Sequence, residues 1–141
     1  ADFTIDMNEY PSVEERKKRV LELTNGYGAD VGLEVAGVPA AFAEGIELIR
    51  TGGAYVTIGN VSPGKYTNFD PGLLTRKSIK IFPVVRYNPW YLRKTLEFLS
   101  DAIDKYPFAD LLDAEFTLDE IQEALDKSAN RGVTRASIII P

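Results

Sequence analysis

The sequence predicts an α/β fold with a mainly parallel sheet, and three observations carry that expectation. Strand-like and helix-like runs alternate along all 141 residues. The stretch Ala29–Asn60 reads strand, helix, strand, which is the pattern of a right-handed βαβ unit. Both of its strand runs end in glycine, at Gly37 and Gly59. In open parallel sheets ligands gather at strand carboxyl ends, where glycine lets them approach the backbone.

The elements follow in order. Phe3–Ile5 reads as a short strand. Tyr10-Pro11-Ser12 is a turn, and Ser12 with Glu15 forms a capping box for a helix reaching about Leu23. The apolar face of that helix is thin: Val13, Val20 and Leu23. Asn25-Gly26-Tyr27-Gly28 ends it. Val31, Leu33 and Val35 alternate as in a strand over Asp30–Val35. Pro39 suits a first helical turn, and Phe42, Ile46 and Ile49 then fall on one helical stripe. Thr51-Gly52-Gly53 stops that helix, and Ala54–Ile58 is the next strand. Val61–Thr75 is a loop with turns at Ser62-Pro63-Gly64 and Asp70-Pro71-Gly72, and a helical turn starts at Leu73-Leu74. Ser78–Arg86 is a strand that Pro83 assigns to a sheet edge. Asn88 caps and Pro89 opens an amphipathic helix with Leu92, Leu96, Leu99 and Ile103 on one face. Tyr106-Pro107 ends it. Leu111–Glu115 is a strand. Thr117 with Glu120 forms a second capping box, Phe116 and Ile121 suit a hydrophobic staple, and the helix runs to about Ser128. Asn130-Arg131-Gly132 stops it before a last strand, Arg135–Ile140.

Composition bounds the function. Hydrophobic residues at 45% and charged residues at 26% are globular values, and the length fits one domain. Net charge is −5. The densest basic run, Arg16-Lys17-Lys18-Arg19, spreads around a helix and reads as a solvated face, so nucleic acid is a poor partner. No apolar run approaches the ~20 residues of a membrane span, and no signal peptide is visible, which points to a cytoplasmic, non-membrane protein. Cysteine and histidine are both absent. That excludes disulfides, thiolate or imidazole zinc sites, and Cys-His or Ser-His-Asp machinery within this chain. The chain starts at Ala1 on a strand-like run and reads as a part of something longer.

The runs ADFTID, GYGADVGLEVAG, IELIRTGGAYVTIGN, IKIFPVVRY, FTLDEIQEALD and RGVTRASIII, in this order and spacing, carry a likeness over nearly the whole chain. The sequence resembles the nucleotide-binding half of the medium-chain dehydrogenase/reductase family, the zinc-type alcohol and polyol dehydrogenases. The resemblance implies a Rossmann-type, doubly wound parallel sheet of strand order 3-2-1-4-5-6. No G-x-G-x-x-G motif is present. Residues 1–141 would thus be a truncated dinucleotide-binding domain. Its first two strands and glycine-rich turn would lie upstream, and its last helix and strand would return toward a missing catalytic domain. Phe3–Ile5 would be the third strand. With its neighbours gone, it should slide beside Asp30–Val35 or pair elsewhere.

The resemblance further implies an oxidoreductase that moves hydride between an alcohol or carbonyl substrate and NAD or NADP. Zinc would assist in the parent protein, with no ligands in this chain, and the isolated fragment would be inactive. Ala36, Gly37, Ile58, Gly59, Asn60, Val84, Val85 and Arg86 would line the nicotinamide end, and Arg135 would stand near the pyrophosphate. No catalytic residue falls within the chain. The Ile79–Val85 edge would carry a two-fold homodimer.

Blander readings stand beside these. Residues alone favour turn roles for Gly37 and Gly59; the resemblance favours the cofactor wall. Arg135 is equally an ordinary surface arginine. Arg86 reads as a ligand contact ahead of a helix cap. Glu34 interrupts an apolar strand and reads as a structural hydrogen bond or a partly solvated strand end ahead of a functional acid. Asp101, Asp104, Asp110 and Asp113 read as a solvated acidic edge. Tyr87, Trp90 and Tyr91 read as core or subunit-interface packing. Two other functions remain open: a zinc-free quinone or enoyl reductase of the same family, and a stand-alone α/β interaction module without activity.

Overall fold

The structure is a computed structural model describing residues 1–60 and 63–140. It divides into two compact units, Ala1–Tyr87 and Asn88–Pro141. The first contains α1 (Val13–Leu23), β1 (Ala29–Glu34), α2 (Pro39–Leu48), β2 (Ile49–Thr57), α3 (Pro71–Lys77) and β3 (Lys80–Pro83). Its three strands are all parallel, in the order β1-β2-β3. The second contains α4 (Trp90–Ala102), β4 (Ala114–Thr117), α5 (Ile121–Ala129) and β5 (Ala136–Ile139), with β4 parallel to β5. Among the described residues the strands thus form two parallel sheets, with β3 at an edge of the first as Pro83 suggested.

Short-range signals become structure directly. Ser12 Oγ accepts the Glu15 N–H at 3.2 Å, and the Glu15 carboxylate accepts the Ser12 N–H at 2.9 Å. Thr117 and Glu120 repeat this box ahead of α5. Gly26, at φ +86°, donates to the Leu21 carbonyl at 2.7 Å and closes α1. Asn88 Oδ1 accepts the Trp90 N–H at 3.0 Å and starts α4. Ser62 of the expected Ser62-Pro63-Gly64 turn, and Val61 before it, lie outside the described residues.

Hydrogen bonding to Ser12 holds the Glu15 carboxyl below its ordinary 4.5, and hydrogen bonding to Thr117 does the same for Glu120. A carboxylate depressed in the folded state contributes stability above its unfolded pKa and loses that contribution as pH falls through the folded pKa. Glutamine keeps the box but cannot titrate. The Glu15→Gln/Glu120→Gln variant is therefore expected to show a shallower loss of stability below pH 4.5 in an acid titration followed by circular dichroism. An unchanged acid limb would discard this account.

Packing overrides the sequence reading at several places. α2 ends at Leu48 and Ile49 enters β2 at once, so Thr51-Gly52-Gly53 lies inside a strand. The reason is Lys77. Its ammonium donates to the carbonyls of Ile46, Glu47 and Ile49 at 3.0, 2.9 and 2.9 Å, which satisfies the helix end without a glycine cap. The β1–β2 register slips between the Ala29–Ile49 and Val31–Ala54 pairs, which accommodates the intervening residues as a bulge.

The core of this unit is Ile46, Ile49 and Tyr55, with Ala29, Phe42, Leu73 and Ile79 packed around it. The Tyr55 ring lies against Gly32 and Gly45, and its hydroxyl donates to the Ala41 carbonyl at 2.9 Å. Burial pushes the Tyr55 phenol up to about 12. Gly32 shares the Tyr55 side of the sheet, so alternation turns Val31 and Leu33 to the other face, and both are exposed along with Val35.

Phe3–Ile5 forms no strand and neither slides beside β1 nor pairs with any other strand among the described residues. Instead Ile5 and Met7 line a recess of about 660 Å³ together with Val13, Val20, Leu33 and Val35. Its apolar side chains Ile5 and Met7 face the recess, and the outer edge of β1 has no strand partner among the described residues. The basic run is not a uniformly solvated face either. Arg16 is only 8% exposed, forks onto both Glu44 oxygens and donates to the Tyr10 carbonyl, while Lys17 pairs with Glu47. The α4 stripe forms, but Leu92, Leu96 and Ile103 are exposed. Leu111 ends a 3-10 turn, Phe108–Leu111, so β4 starts three residues later than expected, at Ala114. Tyr87, Trp90 and Tyr91 are exposed, which removes the core reading of that cluster. No helix is long and apolar enough to cross a membrane among the described residues.

Candidate functional site

The carboxyl ends of β1, β2 and β3 come together through parallel pairing, and with them most of the residues picked out as a cofactor wall. Glu34 closes β1, Thr57 closes β2 and Pro83 closes β3, opposite one another in register. Ala36 and Gly37 follow β1, Ile58 to Asn60 follow β2, and Val84 to Arg86 follow β3. Arg135 belongs to the second unit, immediately before β5.

Two glycines let the β1 and β2 turns touch. Gly37 has φ +69°, a conformation that side chains resist. A side chain on Gly59 would meet the Gly37 nitrogen, the Val35 carbonyl carbon at 2.7 Å and Glu34 Oε1 at 2.8 Å. Both glycines therefore have a structural cause that involves no ligand.

Glu34 binds these turns together. It is 3% exposed, so burial selects the structural hydrogen bond over the partly solvated strand end. Its Oε1 accepts the Gly37 N–H at 2.8 Å and its Oε2 the Asn60 N–H at 3.1 Å. Its main-chain carbonyl accepts the N–H groups of Ile58 and Gly59, each at 2.9 Å. The sequence marked Glu34 only as an acid interrupting an apolar strand. A buried acid directly before a glycine turn was the signal for this junction.

This network decides which backbone groups can meet a ligand. The N–H groups of Gly37, Ile58, Gly59 and Asn60 are engaged by Glu34, and that of Val84 is donated to the Thr57 carbonyl at 2.9 Å. Among the described residues, the N–H groups of Ala36, Val85 and Arg86 have no hydrogen-bond partner. The exposed side chains of Ile58, Val84 and Val85 add apolar surface at these strand ends. Apolar surface with a few open backbone donors suits a nicotinamide ring and its carboxamide. Arg86 is exposed and makes no ion pair among the described residues; the cap of α4 is supplied by Asn88. Asp113 accepts the N–H groups of Thr134 and Arg135, which holds its carboxyl below the ordinary value and fixes the backbone entering β5. Among the described residues, no group of three His, Cys, Asp or Glu is placed to hold a metal ion.

Residues 1–101 match the family model described as zinc-binding dehydrogenase. The chain belongs to this family. The chain is similar to the 5-exo-hydroxycamphor dehydrogenase of Pseudomonas putida, 32% identical over 80% of this chain and 31% of that protein. The sorbitol dehydrogenase of Halalkalibacterium halodurans is 32% identical over 87% of this chain and 34% of that protein. The crystal structure of an alcohol dehydrogenase from Thermotoga maritima superposes with a TM-score of 0.88 at 29% identity, covering 98% of this chain and 37% of that one. The chain thus spans about a third of the length of the dehydrogenases that it matches. The α/β fold with parallel strands agrees with that family.

Proposed function

We propose that residues 1–141 are the C-terminal part of the dinucleotide-binding domain of a dehydrogenase that moves hydride between an alcohol or carbonyl carbon and NAD or NADP. The observation that carries this reading is the junction of three parallel strand ends with exposed apolar side chains and open N–H groups at Ala36, Val85 and Arg86. The recess beside β1, with its apolar lining, supports the expectation that further strands of the same domain lie there in the whole protein.

A nicotinamide ring, when bound, accepts or releases the hydride. The chain's own contribution is to orient and enclose it. Ile58, Val84 and Val85 would exclude water from the ring face, and Ala36, Val85 and Arg86 would offer N–H groups to its carboxamide. Gly37, Gly59 and Asn60 would shape the wall, their N–H groups being already satisfied. Arg135 would offer a cation to the pyrophosphate. Among the described residues no group of three His, Cys, Asp or Glu is placed to hold zinc, so any metal assistance would come from the remainder of the protein. The edge strand β3, with Phe82 exposed on it and Val84 and Val85 exposed just after it, would extend its sheet into a second subunit.

The test is made on the whole protein. NADH and NADPH are titrated by fluorescence, and alcohol oxidation is followed with each oxidised cofactor. Binding of one cofactor, with turnover that the isolated 141-residue chain lacks, is the expected result. A whole protein that binds neither cofactor would overturn the reading.

A further inference from the structure

We propose that Glu34 is a positioning residue for the cofactor wall: its buried carboxylate clamps the turn after β1 to the turn after β2 and holds the open N–H of Ala36 in place. This rests on the cofactor reading given above. The inference comes from how the four hydrogen bonds are divided. The main-chain carbonyl of Glu34 takes the Ile58 and Gly59 N–H groups, which continue the β1–β2 pairing. A residue of any type could supply that carbonyl. The carboxylate does something separate. One oxygen holds Gly37 on its own strand's turn, and the other holds Asn60, 26 residues away on the neighbouring turn.

Without the carboxylate, the Gly37 and Asn60 N–H groups would lose their partner while remaining partly shielded, and both turns would relax toward water. Ala36 sits between the strand end and Gly37, so its direction follows that of the turn. A wall held in its binding conformation for only a fraction of the time weakens apparent affinity by that fraction. Glutamine tests the two-sided geometry. Its amide has one acceptor oxygen, so it can satisfy Gly37 or Asn60 but presents a donor to the other. Alanine satisfies neither.

The experiment compares wild type, Glu34→Gln and Glu34→Ala in the whole protein, at a temperature where circular dichroism shows all three folded. Amide hydrogen exchange and NADH and NADPH affinity are both read. In Glu34→Ala, exchange is expected to accelerate selectively at Gly37 and Asn60, with affinity for the bound cofactor falling about tenfold. In Glu34→Gln, one of the two amides stays protected and the affinity loss is smaller. Unchanged protection at both amides overturns the clamp, as does a loss spread evenly over β1 to β3, the mark of a general stability role. Accelerated exchange with unchanged affinity overturns the positioning role. A wild type that binds neither cofactor overturns the cofactor reading, and the proposal with it; a wild type that binds beside variants that bind equally well overturns the proposal alone.

Discussion

Replacing Gly45 by alanine is expected to destabilise the first unit by about 3 kcal/mol, although alanine is the better helix former. Gly45 lies within α2 and faces the Tyr55 ring. An added Cβ would fall inside the van der Waals envelope of the Tyr55 hydroxyl and Cζ, and 2.8 Å from Cε2. The ring has little freedom to move aside. Tyr55 is buried, packs on Ile46 and Ile49, and is tethered by its hydroxyl to the Ala41 carbonyl. Overpacking a rigid site typically costs about 1–3 kcal/mol and occasionally more. With the added Cβ this deep in a tethered ring, the collision is expected to cost about 4 kcal/mol, above that range, and the gain in helix propensity, about 1 kcal/mol, offsets only part of it. Urea denaturation followed by far-ultraviolet circular dichroism measures the loss. The mechanism is checked by pairing the change with Tyr55→Leu, which removes the colliding atoms. Gly45→Ala should then cost less than about 1 kcal/mol, a coupling of about 2 kcal/mol between residues in direct contact. Equal cost in both backgrounds would mean that the collision is not the cause.

The contrast between Gly45 and the other glycines shows which parts of the fold were legible in the sequence. Caps and stops depend on a few neighbouring residues, so Ser12 with Glu15, Thr117 with Glu120 and Gly26 could be read directly. Ile49 could not. It fits the stripe of Phe42 and Ile46, yet it enters the strand because Lys77, 28 residues away, satisfies the end of α2. The spacing of Val31, Leu33 and Val35 revealed a strand, but periodicity does not say which face is covered; the covered face is the one with Gly32, where Tyr55 needs the space. Phe3–Ile5 had strand composition and β1 had a free edge among the described residues, yet the two do not pair, because composition alone does not form a ladder. At the candidate site the two terminal glycines were legible as breaks in pattern. Their mutual contact and the role of Glu34 were not, because both depend on β1 and β2 lying side by side in one register.

Gly59→Ala is expected to be as damaging as Gly45→Ala, for a different reason. Gly59 does not need a positive φ, so alanine suits its backbone conformation. The obstacle is the neighbouring turn. The added Cβ would collide with the Gly37 nitrogen and lie 2.7 Å from the Val35 carbonyl carbon and 2.8 Å from Glu34 Oε1. Two of these three atoms are backbone, so no side-chain rotation relieves them. The strand ends must separate, which strains the Glu34 bonds to Gly37 and Asn60 as well. A loss of about 3 kcal/mol follows from overpacking combined with a weakened buried hydrogen bond. Gly37→Ala provides the comparison. Its Cβ would meet only the Gly59 carbonyl, with the oxygen at 3.0 Å, and its main cost is the left-handed backbone at φ +69°. That cost is about 1–2 kcal/mol. The expected order of stability is therefore wild type, then Gly37→Ala, then Gly59→Ala, read as urea midpoints for the same chain. Amide exchange should place the Gly59→Ala loss at Gly37 and Asn60 first. If Gly59→Ala matched wild type within about 0.5 kcal/mol, the size of an ordinary surface substitution, the two turns would not be in the contact described, and the clamp built on that contact would fall with it.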